Sequence, residues 1–275
     1  MNPPIVSPVR LGAVDYLNVR PLVHGLDADP AFALRFDPPS ICASLLAGGE
    51  IDLGMIPAIA YQSHDAYRVV WDIAIASEGP VASVALFTKV PRGRIRTIAA
   101  DTSSKTSVAL ARVLCAERFD IRPGFTPAAP DLASMLAGAD AAVLIGDPAL
   151  FVDHDAMGVE KIDLGGEWTA MTGLPFVWAF WAGRKDAIGG AGIARLRQAK
   201  QDGMAASDAL AAAYAAAYQS RTGMAADPLV ARRYLRENIK YDLGLREHEA
   251  LVRFYESARR AGVIGAVQPV RFYAS

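Results

Sequence analysis

A cluster of hydroxyl side chains follows a short apolar stretch near the middle of the chain. Residues 96–100 are mostly apolar, and after Asp101 come five hydroxyl residues and one lysine within six positions. Apolar residues then recur at helical spacing from Val108. The first N–H groups of a helix lack partners and its dipole favours negative charge, so this segment predicts a carboxylate or phosphate site. The candidate binding residues are Thr102, Ser103, Ser104, Lys105, Thr106 and Ser107.

The same hydroxyl cluster also has a purely structural interpretation. Ser, Thr and Asp are the side chains that most often cap the N-terminus of a helix. One or two hydroxyls are enough for a cap, whereas this segment offers five. The residues therefore favour an anion site and leave a capping role open.

Four polar segments lie where predicted strands end. They are Asp15–Asn18, Ser77–Ser83, Asp101–Ser107 and Gly146-Asp147. In sheets built from strand–loop–helix units, ligands bind outside the carboxyl ends of the strands. The four segments therefore predict a small-molecule site, with Ser83 and Gly146 as candidate binding residues and Asp147 as a candidate catalytic residue.

The elements that would position these segments form two similar units. Strands at Val9–Val14 and Ile51–Ile56 alternate with helices in the first unit, and strands at 96–100 and Ala141–Ile145 do so in the second. This alternation predicts an α/β fold with parallel sheets covered by helices. An aromatic strand, Pro175–Ala182, would return the chain to the first unit. We expect one lobe from residues 1–90 plus 184–275 and a second from 91–183, with a cleft between them.

Several other residues have ordinary structural interpretations. Alternation along the aromatic strand is more typical of a core than of a ring-stacking site, Ser40 fits a helix cap, and Gly165-Gly166 fits a turn. None of the four histidines lies clearly at a strand end, so each is a weak candidate for the base of a reaction. The histidines and the aromatic residues in question are His24, His64, His154, His248, Trp178, Phe180 and Trp181.

Composition excludes several classes of protein. The net charge is −1, with 28 basic and 29 acidic side chains, which gives no reason to expect nucleic acid or a membrane as partner. Cys42 and Cys115 are far apart and have no metal-ligand spacing, so we expect neither a disulfide framework nor a metal site. Residues 1–10 contain three prolines and no apolar run, so we expect no secretory signal and a cytoplasmic protein.

Six short segments, found in a fixed order along the chain, indicate a protein family much more specifically than any one of them does alone. They are Gly12–Leu22 (GAVDYLNVRPL), Gly49–Pro57 (GEIDLGMIP), Ile75–Val84 (IASEGPVASV), Asp101–Leu110 (DTSSKTSVAL), Ile145–Leu150 (IGDPAL) and Thr172–Ala182 (TGLPFVWAFWA). In this order they resemble the chorismate dehydratases of the futalosine route to menaquinone.

The resemblance implies a fold and a reaction. The fold would be similar to the two-lobed (type II) periplasmic binding proteins, with parallel-rich sheets, flanking helices and a ligand cleft between the lobes. The reaction would be the elimination of water from chorismate to give 3-[(1-carboxyvinyl)oxy]benzoate, a carbon–oxygen lyase reaction for which we expect no metal and no organic cofactor.

The resemblance also suggests individual residues. The Tyr-Leu-Asn motif of the family stands here as Tyr16-Leu17-Asn18, so Tyr16 becomes a candidate for binding and Asn18 for catalysis. An asparagine amide is no base, but it donates to a developing oxyanion. The chain departs from the family pattern at two positions: Lys105 stands where Arg is common, and Asp15 stands where Ser is expected. Lys105 or Arg20 would provide a positive charge for a substrate carboxylate.

Two alternatives stay open at this stage. A solute-binding protein for a small carboxylate would have the same fold without chemistry, because function resides in the site. A second enzyme of the same pathway, which acts on a cyclic nucleoside-derived intermediate, shares the fold but has a histidine where this chain has Gly146. The sequence does not predict an oligomeric state.

Overall fold

The computed structural model describes residues 7–274, which contain ten strands. The strands are β1 (Val9–Ala13), β2 (Phe32–Phe36), β3 (Leu53–Pro57), β4 (Tyr67–Ser77), β5 (Val84–Thr88), β6 (Thr97–Asp101), β7 (Gly124–Ala128), β8 (Ala141–Ile145), β9 (Glu160–Asp163) and β10 (Phe176–Arg184). The expectation of a missing secretory signal falls largely on residues 1–6, which lie outside the described residues.

The same residues form nine α-helices and four short helical segments of other types. The α-helices are α1 (Pro39–Gly48), α2 (Lys105–Glu117), α3 (Leu132–Gly138), α4 (Gly146–Phe151), α5 (Leu164–Thr172), α6 (Gly190–Ala205), α7 (Ser207–Thr222), α8 (Pro228–Arg233) and α9 (Leu245–Arg260). The 3₁₀ segments are Leu17–Val23, Ala58–Ser63 and Arg92–Arg94, and Tyr234–Asn238 is a turn of π-helix.

Two five-stranded sheets share one plan. The first has the order β2-β1-β3-β10-β4, and the second has the order β7-β6-β8-β5-β9. In each sheet the first two pairings are parallel and the last two are antiparallel, so four strands run in one direction and one, β10 or β5, runs in the other. The sheets are therefore mixed, and the duplicated plan confirms the two-lobed α/β architecture expected from the repeated units.

The chain crosses between the sheets twice. We call the first sheet with its helices the first lobe, and the second sheet with its helices the second lobe. Strand β5 belongs to the second sheet and β10 to the first, which favours crossings close to residues 82 and 174. The predicted division of the lobes at residues 90/91 and 183/184 stays a prediction. From the two strand orders we propose that the lobe boundaries lie earlier, close to residues 82 and 174.

The aromatic strand β10 lies inside the first sheet and forms part of the core. Phe180 and Trp181 are completely buried, as expected for a core strand. Trp178 is also buried, and its indole Nε1 donates to Ser77 Oγ on the neighbouring strand at 3.1 Å. This bond ties together the two strands that adjoin the crossings.

Several local expectations were wrong. Helix α1 begins at Pro39 after Pro38, so Ser40 lies within its first turn and does not cap it. Gly165-Gly166 lies inside α5, because the Asp163 carboxylate accepts from the Gly166 N–H and caps that helix. Gly146-Asp147 does follow the end of β8, as predicted, and it begins a helix, α4, for which no expectation was stated. Three strands were not predicted from the sequence: β2, β7 and β9.

None of the helices within residues 7–274 is long and apolar enough to cross a membrane. Over the same residues, no group of three or more His, Cys, Asp or Glu side chains is arranged to hold a metal ion.

Candidate functional site

A narrow cavity lies between the two lobes. Its walls are mostly apolar, with contributions from Met55, Ile75 and Trp178 of the first lobe, and its free volume is about 70 Å³. The polar side chains that line it come from both lobes: Tyr16, Asn18, Ser83, Ser104, Thr106 and Ser107. Gly146 lines it as well. We call this the inner cavity.

A wider cavity of about 550 Å³ adjoins the inner one. Ser104 lines both, and Thr102 and Lys105 line only this outer cavity. The guanidinium of Arg112, which also lines it, lies 4.1 Å from the ring centre of Phe125. Two cations, Lys105 and Arg112, therefore line the wider side of the cleft.

The hydroxyl segment serves both as a cap and as a wall of the cavity. Ser104 Oγ accepts from the Ser107 N–H at 3.3 Å and caps α2, and Thr106 Oγ1 accepts from the Ile59 N–H of the first lobe at 3.2 Å. Because both hydroxyl oxygens accept from backbone N–H groups, their own protons can be donated to a ligand. The capping role of Ser104 is confirmed, and the anion site stays a prediction.

Asp101 and Ser103 form a separate pair beneath this segment. The Ser103 hydroxyl donates to Asp101 Oδ1 at 2.6 Å, and the Ser103 N–H donates to the same oxygen. Burial raises the pKa of Asp101, and these bonds oppose the rise. Ser103 lines neither cavity. Its hydrogen bonds to Asp101 therefore favour a role in stabilising the loop over direct binding of a ligand.

Tyr16 reaches from the first lobe to the second and packs on Gly146. A Cβ atom on residue 146 would lie 2.8 Å from the Tyr16 ring, and Gly146 has φ +68°. Burial raises the pKa of the Tyr16 phenol to about 12, so the group is neutral near pH 7. Glycine is therefore required at 146 by backbone conformation and by the aromatic ring.

Asn18 and Ser83 meet on one buried phenol. Asn18 Nδ2 donates to the Tyr234 hydroxyl at 2.9 Å, and Ser83 Oγ lies 2.6 Å from the same hydroxyl. Asn18 Oδ1 is buried and has no hydrogen-bond partner within residues 7–274. The amide nitrogen therefore faces Tyr234, and the amide oxygen remains for a molecule in the cavity.

Asp147 joins the lobes and does not line either cavity. Its side chain accepts from the Leu17 N–H at 3.2 Å and from the Tyr214 hydroxyl at 2.5 Å, and the residue is 2% exposed. Burial raises the pKa of Asp147 to about 6, and the hydrogen bond from Tyr214 opposes that rise. This geometry favours a role in holding the 15–18 segment over a direct role in chemistry.

Arg20 lies away from both cavities. It pairs with Asp15, and its guanidinium packs over the rings of Phe36 and Tyr214 at 4.9 and 5.2 Å. It lines a separate shallow groove near His24. A direct contact between Arg20 and a substrate carboxylate is not supported by this position.

Asp163 holds the first crossing between the lobes. Its two carboxylate oxygens accept from the Val81 and Ala82 N–H groups at 3.0 and 2.7 Å. Ala82 has φ +64°, a left-handed conformation that is unusual for a residue with a Cβ atom. Two hydrogen bonds thus fix a strained backbone directly before Ser83.

Three residues of the site were not predicted from the sequence: Tyr234, Tyr214 and Asp163. Each is far along the chain from the residue that it holds, and a buried tyrosine in a helical stretch has the pattern of a core residue. The Tyr16-Leu17-Asn18 and Asp101–Ser107 segments, by contrast, lie on opposite walls of one cleft, as their strand-end positions predicted.

Comparison with known proteins identifies the family. The model of a family described as menaquinone biosynthesis matches residues 9–260. This chain belongs to that family. A curated relative, the chorismate dehydratase of Thermus thermophilus, is 30% identical over 274 residues, which cover 92% of this chain and 96% of the relative. The resemblance drawn from the six motif segments is confirmed.

Solved structures confirm the fold. A crystal structure of a protein from Archaeoglobus fulgidus has a TM-score of 0.75 at 18% identity and covers 94% of this chain and 100% of its own. The periplasmic aliphatic sulphonate binding protein of Escherichia coli has a TM-score of 0.64 at 17% identity, with 98% and 95% covered. These similarities establish a periplasmic-binding-protein fold and carry no statement about the ligand.

Proposed function

We propose that this protein is a chorismate dehydratase, a hydro-lyase that converts chorismate into 3-[(1-carboxyvinyl)oxy]benzoate and water for menaquinone biosynthesis. One observation carries the proposal beyond family membership. Tyr16, Asn18, Ser104 and Gly146, which belong to the motif segments shared with that family, come from distant parts of the chain and line one inner cavity.

The donors of the inner cavity match the demands of the substrate. Chorismate has two carboxylates, and removal of the ring proton beside the ether gives an anion delocalised through the diene to the ring carboxylate. The hydroxyls of Ser83, Ser104 and Thr106 provide fixed donors for such charge. Preorganised donors in a site that excludes water stabilise a developing anion far more than water does.

We further propose that the base is the side-chain carboxylate of the substrate. Both oxygens of Asp147 already accept hydrogen bonds from Leu17 and Tyr214, and Asp147 does not line the cavity. In the proposed sequence the enol-ether carboxylate takes the ring proton and the neighbouring hydroxyl leaves. That proton returns to the hydroxide, so water is released and the ring becomes aromatic.

The test is incubation of the purified protein with chorismate, followed by chromatography of the products. We expect loss of chorismate with equal formation of the benzoate. Binding of chorismate without turnover would instead identify a solute-binding protein. We expect activity to persist with excess chelator, because aromatisation drives the elimination and the hydroxyl donors supply the stabilisation; a strict need for a divalent ion would contradict this part of the proposal.

We also propose that the protein acts in the cytoplasm and that its partner is a small molecule. A biosynthetic role supports action in the cytoplasm, and the near-zero net charge supports a small-molecule partner over nucleic acid or an anionic membrane surface.

A further inference from the structure

Tyr234 is the residue through which both lobes fix their polar groups at the inner cavity. It lies on the π-helical turn Tyr234–Asn238 and is 1% exposed. Its hydroxyl contacts Asn18 of the first lobe and Ser83, the residue that follows the first crossing. Tyr234 itself does not line the cavity, so any influence on a ligand acts through these two side chains.

The hydrogen-bond directions follow from counting donors. A phenol has one proton, and its oxygen already accepts from Asn18 Nδ2. Ser83 Oγ is the acceptor within reach of that proton, at 2.6 Å. Because a buried hydroxyl that donates to nothing is costly, Tyr234 donates to Ser83. The proton of Ser83 is then directed away from Tyr234, and Ser83 lines the cavity.

We propose that Tyr234 is a positioning residue that makes Asn18 an acceptor and Ser83 a donor toward the inner cavity. Asn18 Oδ1, buried and without a partner among the described residues, would accept from the ring hydroxyl of the substrate. Ser83 would donate to the substrate's negative charge. This assignment changes the role expected for Asn18 from the sequence, where its amide was a donor to an oxyanion. The effect of Tyr234 on catalysis rests on the proposed function, whereas the directions of the hydrogen bonds hold whatever the reaction is.

An amide spectrum tests the hydrogen-bond directions without any assay of activity. The chain contains three asparagines, Asn2, Asn18 and Asn238, so protein labelled with ¹⁵N only in asparagine gives three side-chain amide pairs. Comparison with Asn18→Asp assigns the Asn18 pair. We expect Tyr234→Phe to move one proton of that pair upfield much more than the other, because that N–H alone loses the phenol oxygen as its acceptor. An unchanged pair in Tyr234→Phe would overturn the proposal.

Kinetics test the positioning role. We expect Tyr234→Phe to lower kcat for chorismate at least tenfold and to change KM by less than about threefold, because substrate is still held while the orientation of Asn18 and Ser83 is lost. Tyr273→Phe is the matched control: it removes a buried phenol that donates to the Arg184 carbonyl at 2.6 Å, away from the cavity. It should leave the Asn18 pair and kcat unchanged.

The outcomes separate this inference from the proposed function. Wild-type protein that converts no chorismate refutes the function, and the amide spectrum still decides the hydrogen-bond directions. Active wild type with full kcat in Tyr234→Phe overturns the positioning role. If Tyr234→Phe does not fold, Ser83→Ala replaces it: Tyr234 then loses its acceptor, and the Asn18 amide turns over so that its oxygen accepts from the phenol, which shifts the Asn18 pair. An unshifted pair in Ser83→Ala overturns the proposal.

Discussion

At the scale of single residues, Asn18 is the side chain whose removal we expect to cost most in turnover. Asn18→Ala removes the amide whose oxygen we propose accepts from the substrate hydroxyl in the inner cavity; loss of one preorganised oxyanion donor typically costs ~10²–10³ in rate, and we expect loss of this acceptor to cost less. We expect kcat for chorismate to fall more than tenfold at an almost unchanged melting temperature. Gln198→Ala is the control, since Gln198 donates to the Asp202 carboxylate at an exposed position of α6. Near-normal turnover in Asn18→Ala would show that Asn18 only stabilises its turn and takes no part in the reaction.

Gly146 gives a second prediction at this scale. A Cβ atom at residue 146 would clash with the ring of Tyr16. The backbone there has φ +68°, and a residue with a Cβ atom in this conformation costs about 1–3 kcal/mol of stability. Gly146→Ala should therefore lower both the melting temperature and kcat/KM. Gly158→Ala separates the two causes, because Gly158 has φ +65° but nothing within 4 Å of its Cβ position; it should lower stability alone. Equal activity in the two variants would show that the contact with Tyr16 is unimportant.

At the scale of elements, the first crossing depends on Asp163. Asp163→Ala removes the acceptor of the Val81 and Ala82 N–H groups as well as the cap of α5. We expect kcat/KM to fall about tenfold or more, because small misplacements of a positioned group are costly. Asp131→Ala, which removes only the cap of α3, should cost about 1 kcal/mol of stability and no activity. The same loss of activity in both variants would mean that the crossing does not position Ser83.

The sequence predicts most of these elements, and the misses have a common cause. The missed strands β2, β7 and β9 are all edge strands. They are half-exposed, and β7 contains Pro127, which only an edge strand tolerates well, so they lack the apolar run that identifies a buried strand. The crossings that we propose lie several residues earlier than the predicted division, which stays a prediction; β5 and β10 are as apolar as strands of either lobe, so the sequence does not assign them to one sheet. Tyr234 could not be found from spacing, since it acts across 216 positions of sequence.

At the scale of the whole molecule, Asp147 makes stability depend on pH. An aspartate in an unfolded chain has a pKa of about 3.9, whereas burial raises that of Asp147 to about 6. The folded state therefore binds this proton more tightly. The contribution of Asp147 to the free energy of unfolding is greatest below about pH 4 and is lost as the pH rises through about 6.

Melting temperatures of wild type and Asp147→Asn between about pH 4 and pH 7 measure this effect. We expect the variant to gain on the wild type as the pH rises, because asparagine does not ionise beside Asp15 and Tyr214. The raised pKa of Asp101 is present in both proteins and cancels in the comparison. A difference between the two proteins that stays constant with pH would show that Asp147 has the same pKa folded and unfolded.

The position of β10 between β3 and β4 sets an order of assembly during translation. The ribosome makes β3 and β4 long before β10, so both strands leave the exit tunnel without the partner that joins them. The second lobe has all its strands by Asp163 and needs nothing that follows for its sheet. A stalled nascent chain that exposes residues up to about 175 should therefore resist protease in the second lobe and be cut in the first, because a domain folds when its unit is complete.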